Sequence, residues 1–308
     1  MRSSIPGSAT SSGARRRGVR SPAARAPGSP DRPSAAFTGV LRQPGPLLGA
    51  LVLAAVAGMA VLAPVLTPYS PTRNDLVHSL EPPSGAHPMG TDLLGRDVLT
   101  RILYGARLSI SLGLTVQAVS VALGTALGLL AGYYGRWVDD VVTAVTTVVQ
   151  AFPGLLFAIA VMAVLGPSVT NVLVALALVG WPTVSRLVRG ETLAIKEQLY
   201  VEGARAAGAP DVHILLRHVL PNCAGPIIVV ATLGLGGTIL AEATLSFLGL
   251  GVQPPAPSWG SMLADARDRI WDAPWLMLYP GLAIFVTILA LNLLGDGLRD
   301  VLDPRLRE

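Results

Sequence analysis

Between residues 47 and 294 the sequence runs through apolar stretches of about 20 residues, the length needed to cross a hydrocarbon core of roughly 30 Å. This spacing dominates every other feature. The chain is 51% hydrophobic and only 14% charged, whereas soluble domains carry nearer a quarter charged residues. The expected fold class is therefore all-α: a polytopic membrane protein with six transmembrane helices. The spans are expected at about 47–66, 108–131, 141–165, 169–185, 226–248 and 275–294. Four regions follow from them. Residues 1–45, rich in Arg, Ser and Pro, are expected to be a disordered tail, because they cannot bury enough apolar surface to fold. Residues 46–107 hold the first helix and an external loop, 108–298 a core of five helices, and 299–308 a C-terminal tail.

The basic residues set the expected orientation. Six spans place both termini, the 132–140 link and the 186–221 loop on one side, and that side carries 17 of the 23 Lys and Arg residues. Cytoplasmic loops hold such an excess, so both termini and the 186–221 loop are expected in the cytoplasm. The arginines fall between hydrophobic blocks and not along one face, which argues for membrane topology and against nucleic acid as a partner. The Arg-rich tail reads as topogenic, with contact to anionic lipid as the functional alternative.

Signals inside the spans point to a packed bundle. Gly124, Gly128 and Gly132 recur every four residues on one face of the second span, a small-residue ridge that lets helices approach closely. Gly234 and Gly237 are candidates for the same role in the fifth span. Pro153 and Pro182 are expected to kink the third and fourth spans, which a bundle tolerates. Glu242 lies deep in the fifth span, at a cost of roughly 2.5 kcal/mol or more at the bilayer centre. Two roles are open to it: lining or gating a pathway, or a structural hydrogen bond to a neighbouring helix.

The polar island YVEGARAAGAPDVHILLRHVLPN, 200–222, reads as two short helices joined at a hinge. Helix formers fill 201–207, and Gly208 supplies the stop. Pro210 suits the first turn of a second helix, where Asp211 places negative charge near the N-terminus. Pro221 is expected to end that helix by about Leu220. An ordered pair of helices between two membrane spans suits presentation to a partner.

Several chemistries lack their residues. The single cysteine, Cys223, excludes an intrachain disulfide. Lys196, the only lysine, has no glycine-rich lead-in and no following Ser or Thr, so the phosphate-binding loop of an ATPase is absent. His78, His87, His213 and His218 show no metal-ligand spacing, and His213 and His218 are too far round a helix to share a face. No catalytic residue, cofactor site or metal site is expected on this chain. An ion-coupled carrier would need inverted repeats and ion-site residues at the midplane, and neither is visible. An intramembrane enzyme would need a partner for Glu242.

The order Glu202-Gly203-Ala204, then Gly208, then Leu220-Pro221 resembles the EAA loop of ABC importer inner-membrane permeases. Gly203 replaces the middle alanine of that pattern and His218 its usual isoleucine, while the spacing is intact. GTDLLGRDVLTRILYGARLS, AEATLSFLGLGVQPPAPSWGSML and LLGDGLRDVLDPR look like the C-type permease of dipeptide and oligopeptide transporters. The resemblance covers about residues 40–307. It implies a multi-pass subunit of a bacterial plasma (inner) membrane, paired with a homologous permease as a heterodimer. It also implies two ATPase domains, separate or fused, that hold ATP and Mg, and an extracytoplasmic substrate-binding protein. Tyr200, Glu202, Gly203, Ala204, Arg205, Gly208, Asp211, His218, Leu220 and Pro221 become the candidate ATPase-coupling residues. The expected cargo is a dipeptide or oligopeptide; nickel chelates, glutathione and haem-like ligands are alternatives for the same machinery.

Overall fold

The computed structural model describes residues 43–302. Of the two expected tails, residues 1–42 and 303–308 lie outside the described residues. The elements are helical throughout: α1 (Pro44–Leu66), a 3₁₀ turn at Leu76–His78, α2 (Val98–Tyr134), α3 (Arg136–Gln150), α4 (Gly154–Leu165) and α5 (Val169–Ile195). Then come α6 (Leu199–Ala206), α7 (Asp211–Ile214), a π turn at Leu215–Val219, α8 (Leu220–Phe247), α9 (Trp259–Ala266) and α10 (Trp275–Leu302).

Five segments are long and apolar enough to cross a membrane: α1, α2, α5, the run Asp211–Phe247 and α10. A sixth crossing exists if α3 and α4 count as one broken span, bent by 87°. The continuous helix expected over 141–165 is thus two helices. Pro153 takes an extended conformation (φ −55°, ψ 123°) directly before α4, so it breaks the helix where a kink was expected. Pro182, by contrast, sits inside an unbroken α5.

The second helix begins ten residues before its apolar stretch. Asp97 caps it, accepting from Thr100 N at 2.8 Å and Thr100 Oγ1 at 2.7 Å. At 37 residues α2 is about 55 Å long, well beyond the hydrocarbon core. Its N-terminal end packs with the short helix α9, whose own N-terminus carries a reciprocal cap between Ser258 and Ser261.

α2 and α5 form the centre of the bundle. A Cβ built on Gly124 would lie 2.6 Å from Trp181 O and Val184 Cβ, and one on Gly128 2.6 Å from Ser185 O. One on Gly132 would lie 2.7 Å from Thr192 Cβ. The helices therefore meet backbone to backbone along this ridge. In α8, Gly234 faces Gln117 with a Cβ distance of 2.7 Å, whereas Gly237 faces open space. α1 lies against α10, where a Cβ on Gly49 would meet Ala290 O at 2.6 Å.

Candidate coupling loop

The segment after α5 folds as a hinged pair. α6 ends at Ala206, and Gly208 follows at φ +81°, the left-handed conformation that costs other residues about 1–2 kcal/mol. Gly208 N donates to Arg205 O at 3.0 Å and Ala209 N to Ala204 O at 3.1 Å, closing off the end of α6. Pro210 then precedes α7, with Asp211 in its first turn.

The second helix does not stop at Leu220. It passes through the π turn into α8, giving one helical run from Asp211 to Phe247. Leu220 N reaches back five residues to Leu215 O, so the ladder widens just before Pro221, whose missing N–H falls in the first turn of α8. The same widening overturns the expectation for His213 and His218. A turn that bonds five residues apart brings their rings onto one side, 5.8 Å between centroids, with Tyr200 6.3 Å from His218. Among the described residues no group of three His, Cys, Asp or Glu is placed to hold a metal.

The pair has two faces. Underneath, Val201, Ile214, Leu215, Val219 and Cys223 are buried with Leu129 and Tyr133 of α2 and Val184, Val188 and Ile195 of α5. Ala204, Ala209 and Leu220 pack at the margin of this cluster. Outside, Glu202, Gly203, Arg205, Gly208, Asp211 and Pro221 are exposed, with His218 half-buried. Large apolar side chains are exposed as well: Leu199 is 84% exposed and Tyr200 46%, while Val212 (63%) and Leu216 (59%) border an apolar cleft with Val121 and Leu130 of α2 and Ile228 of α8. Apolar surface of this extent on a polar loop marks a contact with protein or membrane. A Cβ on Gly203 would meet nothing within 4 Å. Gly203→Ala is accordingly expected to stabilise α6 by about 1 kcal/mol without loss of uptake, measurable as slower amide exchange over 199–206.

Polar ties that the sequence did not signal fasten this loop to α2, and α5 beside it to α3. Tyr133 Oη donates to Asp211 Oδ1 at 2.7 Å, and the Arg205 guanidinium lies over the Tyr133 ring, 5.6 Å from its centroid. Lys196 Nζ donates to Gly132 O at 2.9 Å. Arg189 of α5 forms a two-pronged ion pair with Asp139 of α3.

Glu242 lies at the other end of the bundle and is fully buried. Ser246 Oγ donates to its Oε1 at 2.8 Å and Ser109 Oγ to its Oε2 at 3.2 Å. Ser109 Oγ in turn accepts from Trp259 N at 3.3 Å, so the carboxyl ties α8 to α2 and α9. This enclosure favours the structural alternative for Glu242. Glu242→Gln keeps one acceptor and offers an amide to the second hydroxyl, so near-normal uptake is expected. Glu242→Leu strands both hydroxyls and should cost about 1–3 kcal/mol in thermal unfolding. A gating carboxylate would fail in both variants.

The run GTDLLGRDVLTR lies beside this knot. Gly95 takes φ +70°, and a Cβ there would fall 1.6 Å from Asp75 O. Asp92 accepts from Arg96 Nε at 2.7 Å and contacts Arg101 Nε at 3.4 Å, both arginines being buried. Asp265 of α9 meets the same two guanidinium groups at 3.7 and 3.5 Å. Burial raises the Asp265 pKa, and Arg101 and Arg96 oppose the rise. A cavity of about 360 Å³ opens between these residues and the Pro254–Pro255 loop.

The comparisons with known proteins agree with this geometry. Residues 124–308 match the family described as binding-protein-dependent transport system inner membrane component. Residues 36–83 match the N-terminal transmembrane domain of oligopeptide transport permease C. The dipeptide transport system permease protein DppC of Alkalihalophilus pseudofirmus is 45% identical over 85% of this chain and 86% of its own. The glutathione transport system permease protein GsiD of Pectobacterium atrosepticum is 47% identical over 87% of this chain and 89% of its own. Among solved structures, the inward-facing MetNI methionine ABC transporter aligns with a TM-score of 0.52 at 16% identity, covering 65% of this chain and 96% of that one. That likeness concerns the fold. A bundle of apolar helices carrying an exposed, hinged helix pair, with family matches over both its parts, places the chain among the binding-protein-dependent transport system inner membrane components.

Proposed function

We propose that the chain is the permease subunit of an ATP-binding-cassette importer that moves dipeptides or oligopeptides into the cytoplasm. The observation that carries this reading is the pre-formed helix pair with an exposed apolar face, seated directly on the ends of α2 and α5. In this reading the pair and its counterpart on a homologous permease enter clefts on two ATPase domains, which bind ATP and Mg. Glu202 meets a basic group there, and the small side chains of Ala204, Ala206 and Ala207 allow close approach. A homologous permease completes the pathway, and a substrate-binding protein delivers peptide to the opposite face around α9. The basic excess on the side of the loop supports a cytoplasmic loop and cytoplasmic termini. The names of the relatives, dipeptide and glutathione permeases, support small peptides as the cargo class.

The test is recovery of the assembly. A tagged chain, gently solubilised from native membranes, is expected to bring down an ATPase and a second permease. Reproducible isolation of the chain alone would overturn the proposal. Cargo is then assigned by competing labelled dipeptide uptake with unlabelled oligopeptide or glutathione.

A further inference from the structure

We propose that Tyr133 is the joint through which the coupling loop moves the membrane helices, a positioning residue for transport that lies outside the loop itself. The inference rests on the permease reading above.

Tyr133 is the penultimate residue of α2, with its side chain turned into the cluster beneath the loop. It engages both arms of the hinge at once. Arg205, on α6, lies over its ring, and Asp211, on α7, accepts a hydrogen bond from its hydroxyl at 2.7 Å. Gly208 separates the two arms, so any change in the angle between them must shift Tyr133 or break one of its contacts. The chain offers a short route onward. Gly132 precedes Tyr133, its carbonyl is held by Lys196 from the base of the loop, and it ends the ridge on which α2 meets α5. A pull on the loop is thus delivered to the close-packed axis of the bundle, while the π turn connects the second arm to α8. The ring alone would satisfy packing. The hydroxyl adds direction, because it ties α2 to one exposed carboxylate at the start of α7.

Tyr133→Phe separates these two roles by keeping the ring and deleting the tie. In the full complex, reconstituted in proteoliposomes, uptake and ATP hydrolysis are measured in the same samples. The variant is expected to insert, assemble and hydrolyse ATP as the wild type does. Substrate moved per ATP should fall about tenfold, the scale of losing one hydrogen bond to a charged group. If the tie acts through Asp211, the double variant with Asp211→Ala is no worse than the poorer single variant. Unchanged coupling in Tyr133→Phe, or losses that multiply in the double variant, would overturn the proposal. A second readout does not depend on transport. Amide exchange over 199–211 in the chain itself should quicken in Tyr133→Phe, and an unchanged rate would sink the joint whatever the chain carries. Absence of ATP-dependent uptake by the wild-type complex, with quickened exchange in the variant, would instead count against the permease reading alone.

Discussion

Gly128→Leu is expected to leave little folded protein in the membrane. A Cβ at this position would lie 2.6 Å from Ser185 O, 2.9 Å from Val188 Cβ and 3.1 Å from Arg189 N. Two of these atoms belong to the backbone of α5 and cannot rotate away, so the helices must separate. Helices in lipid gain little from hydrophobicity against each other and depend on close van der Waals packing, and separation forfeits that attraction. Overpacking in a tight core typically costs about 1–3 kcal/mol, and Gly128→Ala should already reach that range. Leucine adds three more carbons on the same line and should exceed it. Gly190 is the control, since a Cβ there meets nothing within 4 Å although it lies on α5 itself. Gly190→Ala is expected to be neutral or slightly stabilising. Thermal unfolding of the solubilised variants, read beside their yield, decides the matter; equal melting of the two alanine variants would show that α2 and α5 do not depend on the ridge.

What the sequence made legible was set by properties that act locally. Apolar length announced α1 and the apolar parts of α5 and α10, because lipid demands about 20 uncharged residues in a row. α5 runs on past the expected end at 185 to Ile195, and α10 past 294 to Leu302, through polar residues of the expected loop and tail. The hinge of the loop was readable because a left-handed residue wants glycine and a first helical turn accepts proline. Where polar residues are packed against protein, hydropathy misleads. Thr100 and Arg101 are buried beside α9 and Asp265, so α2 runs on through a stretch that looked like external loop. The effect of a proline also depends on its neighbours. Pro153 breaks a helix in two, Pro182 leaves one unbroken, and Pro221 is absorbed because a π turn widens the ladder ahead of it.

Contacts that link distant positions were beyond sequence reasoning altogether. Tyr133 and Asp211 are 78 residues apart, and no periodicity relates them. Ser246, four residues after Glu242, lies on its face of the helix and was within reach of a helical argument; Ser109, 133 residues before it, was not. The two histidines of the loop fell on the wrong side for the same reason as the helix end, since both follow from one π turn.

Gly208→Arg is expected to cut ATP-dependent uptake at least tenfold while leaving membrane insertion intact, a split that separates coupling from folding. The position tolerates bulk, because a Cβ on Gly208 meets nothing within 4 Å. The spans and the cluster beneath the loop are untouched, which is why insertion should survive. Conformation is another matter. At φ +81° an arginine pays about 1–2 kcal/mol, and the loop can relieve that strain only by reopening the turn between Ala204 and Ala209. The angle between α6 and α7 then changes, and a long cation is added to the exposed surface of the loop. Gly208→Asn apportions the loss, since asparagine tolerates the left-handed region and adds no charge; it should retain most uptake. Glu202→Lys alters charge without touching the hinge, and it should weaken recovery of the ATPase more than it disturbs amide exchange in the loop. Full uptake by Gly208→Arg and Glu202→Lys in vesicles would leave the exposed face without a coupling role, and the partner it serves would have to be sought elsewhere.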